Sequence, residues 1–165
     1  MIKLIVLDVD GTLTDGKITY DANGIESKSF DVKDGLAIAA WTKQFGLKAA
    51  IITGRESTIV EKRANELGIT HLYQKCHNKD EVLENILKEE NLTWKNVAAI
   101  GDDINDLKML EKAHLSFCPS DAVTLIRNSV KIVCEKSGGN GAVREMVEYI
   151  LKLQGQEEEL QAIWQ

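Results

Sequence analysis

The sequence predicts an α/β fold, a Rossmann-like parallel sheet with helices on both faces and a β-hairpin protruding after the first strand. Three observations carry that expectation. Short apolar runs of strand length alternate with segments whose apolar residues recur at helical spacing. No internal repeat stands out and no Pro/Gly-rich break divides the chain. The 165 residues suit one domain, long enough to remove about 70% of the extended chain's surface from water.

Lys3 to Leu7 is a branched, apolar run bounded by Asp8 and reads as a buried parallel strand. Residues 17–31 differ: Ile18 and Tyr20 alternate with polar residues, Asn23-Gly24 follows, and a second alternating run ends at Phe30, which is a hairpin signal. A helix is expected across Gly35 to Phe45, then a strand at 47–52. Ser57 to Leu67 places Ile59, Val60, Ala64 and Leu67 on one helical face, and residues 80–90 do the same with Val82, Leu83, Ile86 and Leu87. Strands follow at 96–100, 115–118 and 131–134, separated by helices at Asp106–Ala113 and Ala122–Asn128. A last helix from about Gly141 to Leu153 carries Val143, Met146, Val147, Ile150 and Leu151. Residues 1–155 form the expected domain. Residues 156–165 are a tail whose apolar cluster, Ala162, Ile163 and Trp164, is expected to dock on its own body or on another subunit.

Composition excludes several classes of function. The chain is 44% hydrophobic and 28% charged with one proline, which argues against linkers and disordered spacers. A net charge of −6 repels nucleic acid and anionic membrane. Cys76, Cys118 and Cys134 lack zinc-site spacing and read as reduced thiols, and His71, His77 and His114 are too dispersed to form a metal cluster. No apolar run approaches about 18 residues, and Asp8 arrives before a signal peptide's apolar region could be built, so a cytoplasmic location is expected.

Asp8 and Asp10 close the first strand, pointing the same way at i and i+2. Asp102, Asp103 and Asp106 follow the strand at 96–100, at the same sheet edge, where open parallel sheets bind ligands. Repelling carboxylates with no His or Cys partner fit magnesium; the plainer alternative is that they cap helices. Thr53, Gly54 and Arg55 close a third strand, either as a simple turn or as a hydroxyl and amides that hold phosphate oxygens. Lys79, at a helix start, opposes the dipole, so it reads either as a solvated lysine or as the partner of a nearby anion.

Four segments together, DVDGTLTD at 8–15, Thr53-Gly54-Arg55, Lys79 in HNKDE and GDDIND at 101–106, resemble the motifs of the haloacid dehalogenase superfamily of phosphatases. The hairpin, FDVKDG at 30–35, TGRESTIVEKRANELGI at 53–69 and SGGNGAVRE at 137–145 are further similar to its small branch without a separate cap domain, the 3-deoxy-D-manno-octulosonate 8-phosphate phosphatases of lipopolysaccharide sugar biosynthesis. The resemblance implies Asp8 as nucleophile and Asp10 as general acid and base, with an aspartyl phosphate between two half-reactions. It further implies Thr53 and Lys79 on the phosphoryl oxygens. Mg2+ would be held by the Asp8 side chain, the Asp10 carbonyl and Asp102, with Asp103 contributing through water and Asp106 supporting.

For the substrate's far end the same resemblance points to Arg55, Arg63, Gly54, Gly138 and Gly139, and to Lys33 supplied by a neighbour in a homotetramer whose hairpins pair. Arg55 stands where phosphatases of nine-carbon keto-sugar acids commonly carry an acid, which favours the eight-carbon ester over the nine-carbon alternative. A non-catalytic relative or a phosphorelay receiver would also carry a phosphoacceptor aspartate. Asp10 favours an enzyme, because a slow receiver needs no second acid and base.

Overall fold

The computed structural model describes residues 1–163. Chain order is β1 (Leu4–Leu7), a hairpin of β2 (Thr19–Tyr20) and β3 (Glu26–Ser27), α1 (Val32–Ala39), β4 (Lys48–Ile52), α2 (Thr58–Glu66), β5 (His71–Tyr73), α3 (Lys79–Glu89), β6 (Val97–Ile100), α4 (Leu107–Lys112), β7 (Leu115–Cys118), α5 (Thr124–Ser129), β8 (Ile132–Val133), α6 (Ala142–Leu153) and α7 (Glu157–Ala162). Six strands form one parallel sheet in the order β5-β4-β1-β6-β7-β8, and β2 pairs with β3 antiparallel as a separate ribbon.

The alternation of side chains sorts the core into two layers. Ile5 and Leu7 of β1 face a cluster with Ile38 of α1, Val60 of α2 and Met146 of α6. Leu4 and Val6 face the opposite cluster with Leu83 and Ile86 of α3, Leu110 of α4 and Ile126 of α5. With both faces covered, β1 is buried at every position, which is why it reads as an unbroken apolar run. Cys118 and Cys134 lie in opposite layers, and all three cysteines are free and buried; burial pushes Cys118 up to about 11 and Cys134 up to about 12.

Several boundaries differ from the sequence expectation. The helix expected from Gly35 starts earlier, at Val32, because the Asp31 carboxylate accepts from the Lys33 and Asp34 amides. It ends in a wide turn over Ala40–Gln44, where the Trp41 indole donates to the Lys48 carbonyl at 2.7 Å and ties the turn to β4. β5 has no counterpart among the strands expected from sequence. The acidic tail folds as α7, burying Leu160 and half-burying Ile163 against the chain's own body; the expected Trp164 contact lies outside the described residues. Among the described residues no helix is long and apolar enough to cross a membrane.

Candidate active site

Successive strands progress outward from β1 in both directions, β4 and β5 to one side and β6 to β8 to the other. The carboxyl end of β1 is therefore the point where the winding reverses, and a crevice opens there. Asp8 follows β1 directly, Thr53 follows β4, Gly101 follows β6, and Lys79 is the first residue of α3. A cleft of about 150 Å³ at this edge is lined by Asp8, Asp10, Thr53, Gly54, Arg55 and Asp102, together with Asp103 and Asn105.

The loop after β1 is wound tightly: the amides of Thr12, Leu13 and Thr14 all donate to the Val9 carbonyl at 2.9–3.1 Å. Gly11, at φ +97°, lets Asp102 approach; a Cβ there would stand 2.0 Å from Asp102 Oδ2. Thr12 Oγ1 donates to Asp102 Oδ1 at 3.1 Å, so one face of the loop orients that carboxylate. Behind it, Gly138 packs against the Gly11 carbonyl with no room for a Cβ, and the Gly139 amide donates to the Thr12 carbonyl at 2.9 Å. The Ser137–Gly141 loop thus backs the Asp8 loop with main chain.

Lys79 is buried and joins the two acidic segments, its Nζ donating to Asp8 Oδ1 at 2.7 Å and to Asp106 Oδ1 at 2.6 Å. These carboxylates hold the ammonium above its ordinary value against the burial that would lower it. Asp106 spends its other oxygen on the Asp102 and Asp103 amides at 3.0 and 3.3 Å, shaping the turn after β6. Gly101 is required there because a Cβ would meet the Asp106 carboxyl at 2.4 Å.

One donor atom from each of Asp8, Asp102 and Asp106 falls within 4.8 Å of the others. Burial first, and repulsion from Asp106 next, raise Asp8 well above the carboxylate range; burial likewise raises Asp102 to about 6. Asp106 is saturated by Lys79 and two amides, which leaves Asp8 and Asp102 as crowded, under-compensated carboxylates facing the cleft. An all-oxygen donor set of that kind fits a hard divalent cation.

The profile of the haloacid dehalogenase-like hydrolases matches residues 69–146. Over 159 residues the chain is 43% identical to 3-deoxy-D-manno-octulosonate 8-phosphate phosphatase KdsC of Escherichia coli K12, covering 96% of this chain and 84% of the relative. The chain belongs to that phosphatase family. The 3-deoxy-D-manno-octulosonate 8-phosphate phosphatase of Moraxella catarrhalis, crystallised with magnesium ion, phosphate ion and KDO, superposes with a TM-score of 0.95 at 42% identity, covering 99% of this chain and 94% of that one. The cobalt-bound Haemophilus influenzae phosphatase gives 0.89 at 38% identity, covering 94% and 91%.

Against this phosphatase fold, the residues expected from sequence divide into two groups. Asp8, Asp10, Thr53, Gly54, Arg55, Asp102 and Asp103 meet in the cleft, with Lys79 and Asp106 directly behind. Arg63 lies outside it, in a groove with Phe30 and Ile59, its guanidinium 5.5 Å over the Phe30 ring and 3.3 Å from Glu66. Lys33 is exposed on α1, and Gly138 and Gly139 pack beneath the Asp8 loop rather than lining the cleft.

Thr12, Glu26, Lys28 and Asn105 also shape the site and are not among the residues expected from sequence. Lys28 Nζ donates to Asp10 Oδ1 at 2.5 Å, and Glu26 pairs with Arg55 at 3.0 Å. Their signal is the hairpin's own alternation: Glu26, Lys28 and Phe30 turn inward while Ser27 and Ser29 are exposed.

Proposed function

We propose that this chain hydrolyses 3-deoxy-D-manno-octulosonate 8-phosphate to the free sugar acid and phosphate with magnesium as cofactor, in lipopolysaccharide sugar biosynthesis. The carrying observation is the pairing of Asp8 and Asp10 at one strand end with a buried Lys79 that occupies only one Asp8 oxygen. Asp8 Oδ2 attacks phosphorus as the bond from phosphorus to the sugar oxygen breaks, and Asp10 gives its proton to the departing oxygen. Asp10 then takes a proton from water, which attacks phosphorus and frees Asp8. Thr53 and Lys79 donate to the non-bridging oxygens. Asp8, Asp102 and the Asp10 carbonyl hold magnesium, which supplies the positive charge that admits a dianionic phosphate to an acidic cleft.

The reading of the leaving group rests on the relatives' names and on Arg55 after Thr53-Gly54. Phosphate release measured on this ester, nine-carbon keto-sugar acid phosphates and neutral hexose phosphates is expected to give the highest kcat/KM for the eight-carbon acid. A nine-carbon ester turned over at least tenfold more efficiently, a difference of about 1.4 kcal/mol in transition-state stabilisation, replaces that assignment.

The same reading makes the working unit a homotetramer in the cytoplasm, with residues 156–165 as an appendage to a domain of residues 1–155. Three buried free thiols suit a reducing compartment. Ile18, Tyr20 and Ile25 of the hairpin, and Val32 at 80% exposure, leave an apolar surface on this side of the molecule. Lys33, exposed outside its own cleft, then serves a neighbour's. Light scattering at micromolar concentration is expected to give about four times the 18.3 kDa chain mass, and a fully active monomer would overturn the shared site.

A further inference from the structure

We propose that Lys28 is a positioning residue for the reaction, holding Asp10 Oδ1 so that Oδ2 alone faces the reacting oxygen. This deepens the phosphatase reading and rests on Asp10 being its acid and base. Three observations converge on it. The Lys28 side chain is only 2% exposed, so it is not a solvated surface lysine, and burying an ammonium is tolerated only against fixed partners. Its Nζ donates to Asp10 Oδ1 at 2.5 Å and lies 3.4 Å from Glu26 Oε1. Glu26 Oε1 in turn accepts from Arg55 Nη2 at 3.0 Å, so the same carboxylate that steadies Lys28 straps the hairpin to the loop after β4.

The chain of contacts runs from the hairpin, through two ion pairs, onto both sides of the cleft. A carboxyl group has two oxygens and rotates; a proton carried on the wrong one is out of line with the bond that breaks. With Oδ1 engaged as an acceptor by Lys28, the exchangeable proton sits on Oδ2 in the first half-reaction, leaves with the sugar oxygen as the phosphorus–oxygen bond breaks, and is replaced on Oδ2 from water in the second. Lys28 keeps its own proton throughout. Asp10 makes no other side-chain hydrogen bond or ion pair among the described residues, although the Arg55 charge lies close enough to act on it.

The test compares two esters. A sugar alkoxide must be protonated as it leaves, whereas 4-nitrophenolate departs unaided, and kcat/KM reports only the steps up to that departure. Lys28→Met, near in length and without charge, is expected to lower kcat/KM for 3-deoxy-D-manno-octulosonate 8-phosphate by about 30-fold or more, against no more than about threefold for 4-nitrophenyl phosphate. Lys28→Gln, which keeps a donor, is expected to lose less on the sugar ester than Lys28→Met. Thermal melting accompanies each variant, and the ester ratio is read on the fraction folded at the assay temperature. Equal losses on both esters, or none on either, overturn the role of Lys28. Asp10→Asn is run beside them: if it shows no ester-dependent loss, the assignment of Asp10 itself is wrong and the Lys28 proposal falls with it, whereas an ester-dependent loss in Asp10→Asn but not in Lys28→Met refutes Lys28 alone.

Discussion

Asp8→Asn is expected to lower turnover by about 10⁴-fold or more while leaving the fold intact. The amide has nearly the shape of the carboxylate and keeps an oxygen to accept from Lys79 Nζ, which stands 2.7 Å from Asp8 Oδ1, so packing and the buried hydrogen bond persist. On the proposed mechanism, what is lost is the negative oxygen that attacks phosphorus, and no other carboxylate in the cleft is placed to replace it. Asp102 is turned to Thr12 and lies against Gly11. Asp106 is held by Lys79 and two amides. The measurement is steady-state phosphate release with circular dichroism on the same sample, together with acid-quenched mass spectrometry for phosphate on the Asp8 peptide of the wild-type protein. Normal turnover in a variant with verified sequence would remove Asp8 as nucleophile.

Lys79→Met has the second large effect, and it falls on stability as well as rate. The Lys79 side chain is 1% exposed and neutralises two buried carboxylates. Removing one partner of a buried ion pair leaves uncompensated charge, which costs about 3–5 kcal/mol. In a domain of this size that corresponds to a fall in Tm of about 6–20 °C in metal-free buffer, measured by calorimetry. Phosphate release should be lost too if, as proposed, the ammonium that faces Asp8 also stabilises charge on the phosphoryl group. A Tm within about 2 °C of wild type would mean that the acidic segments do not depend on this lysine.

The parts of the molecule that were legible in the sequence are those where burial imposes a pattern. β1 and β6 are covered on both faces, and their all-apolar runs end in acids at the one edge where the winding reverses; two independent clusters then point to one crevice. β5 escaped because His71-Leu72-Tyr73 is three residues at a sheet edge, where His71 is satisfied by Glu90 at 2.6 Å instead of by the core. α7 escaped because its first turn is Glu157, Glu158 and Glu159, and only Leu160 is buried, so no apolar stripe marks it. Lys28 and Glu26 illustrate a different limit. A hairpin pattern says which residues share a face, and these two share one with Phe30, but nothing local says that this face closes over Asp10 and Arg55. Long-range contact gives charged residues their function here, and periodicity does not carry it.

The packing of Gly138 on Gly11 sets a schedule for synthesis. β1 leaves the ribosome first, yet it is completed only when β6 arrives on its open side, and the loop that carries Asp8 is backed by main chain from near the other end of the protein. Contacts so distant in sequence form late, because the loop-closure entropy is met before they can stabilise anything. A nascent chain halted before residue 137 therefore carries Asp8 without the support that shapes its surroundings, and is expected to release no phosphate until α6 emerges and docks on α1. Termination ahead of that point leaves a fragment whose sheet lacks α6 over one apolar face, and it is expected to be a substrate for proteolysis rather than a partial enzyme.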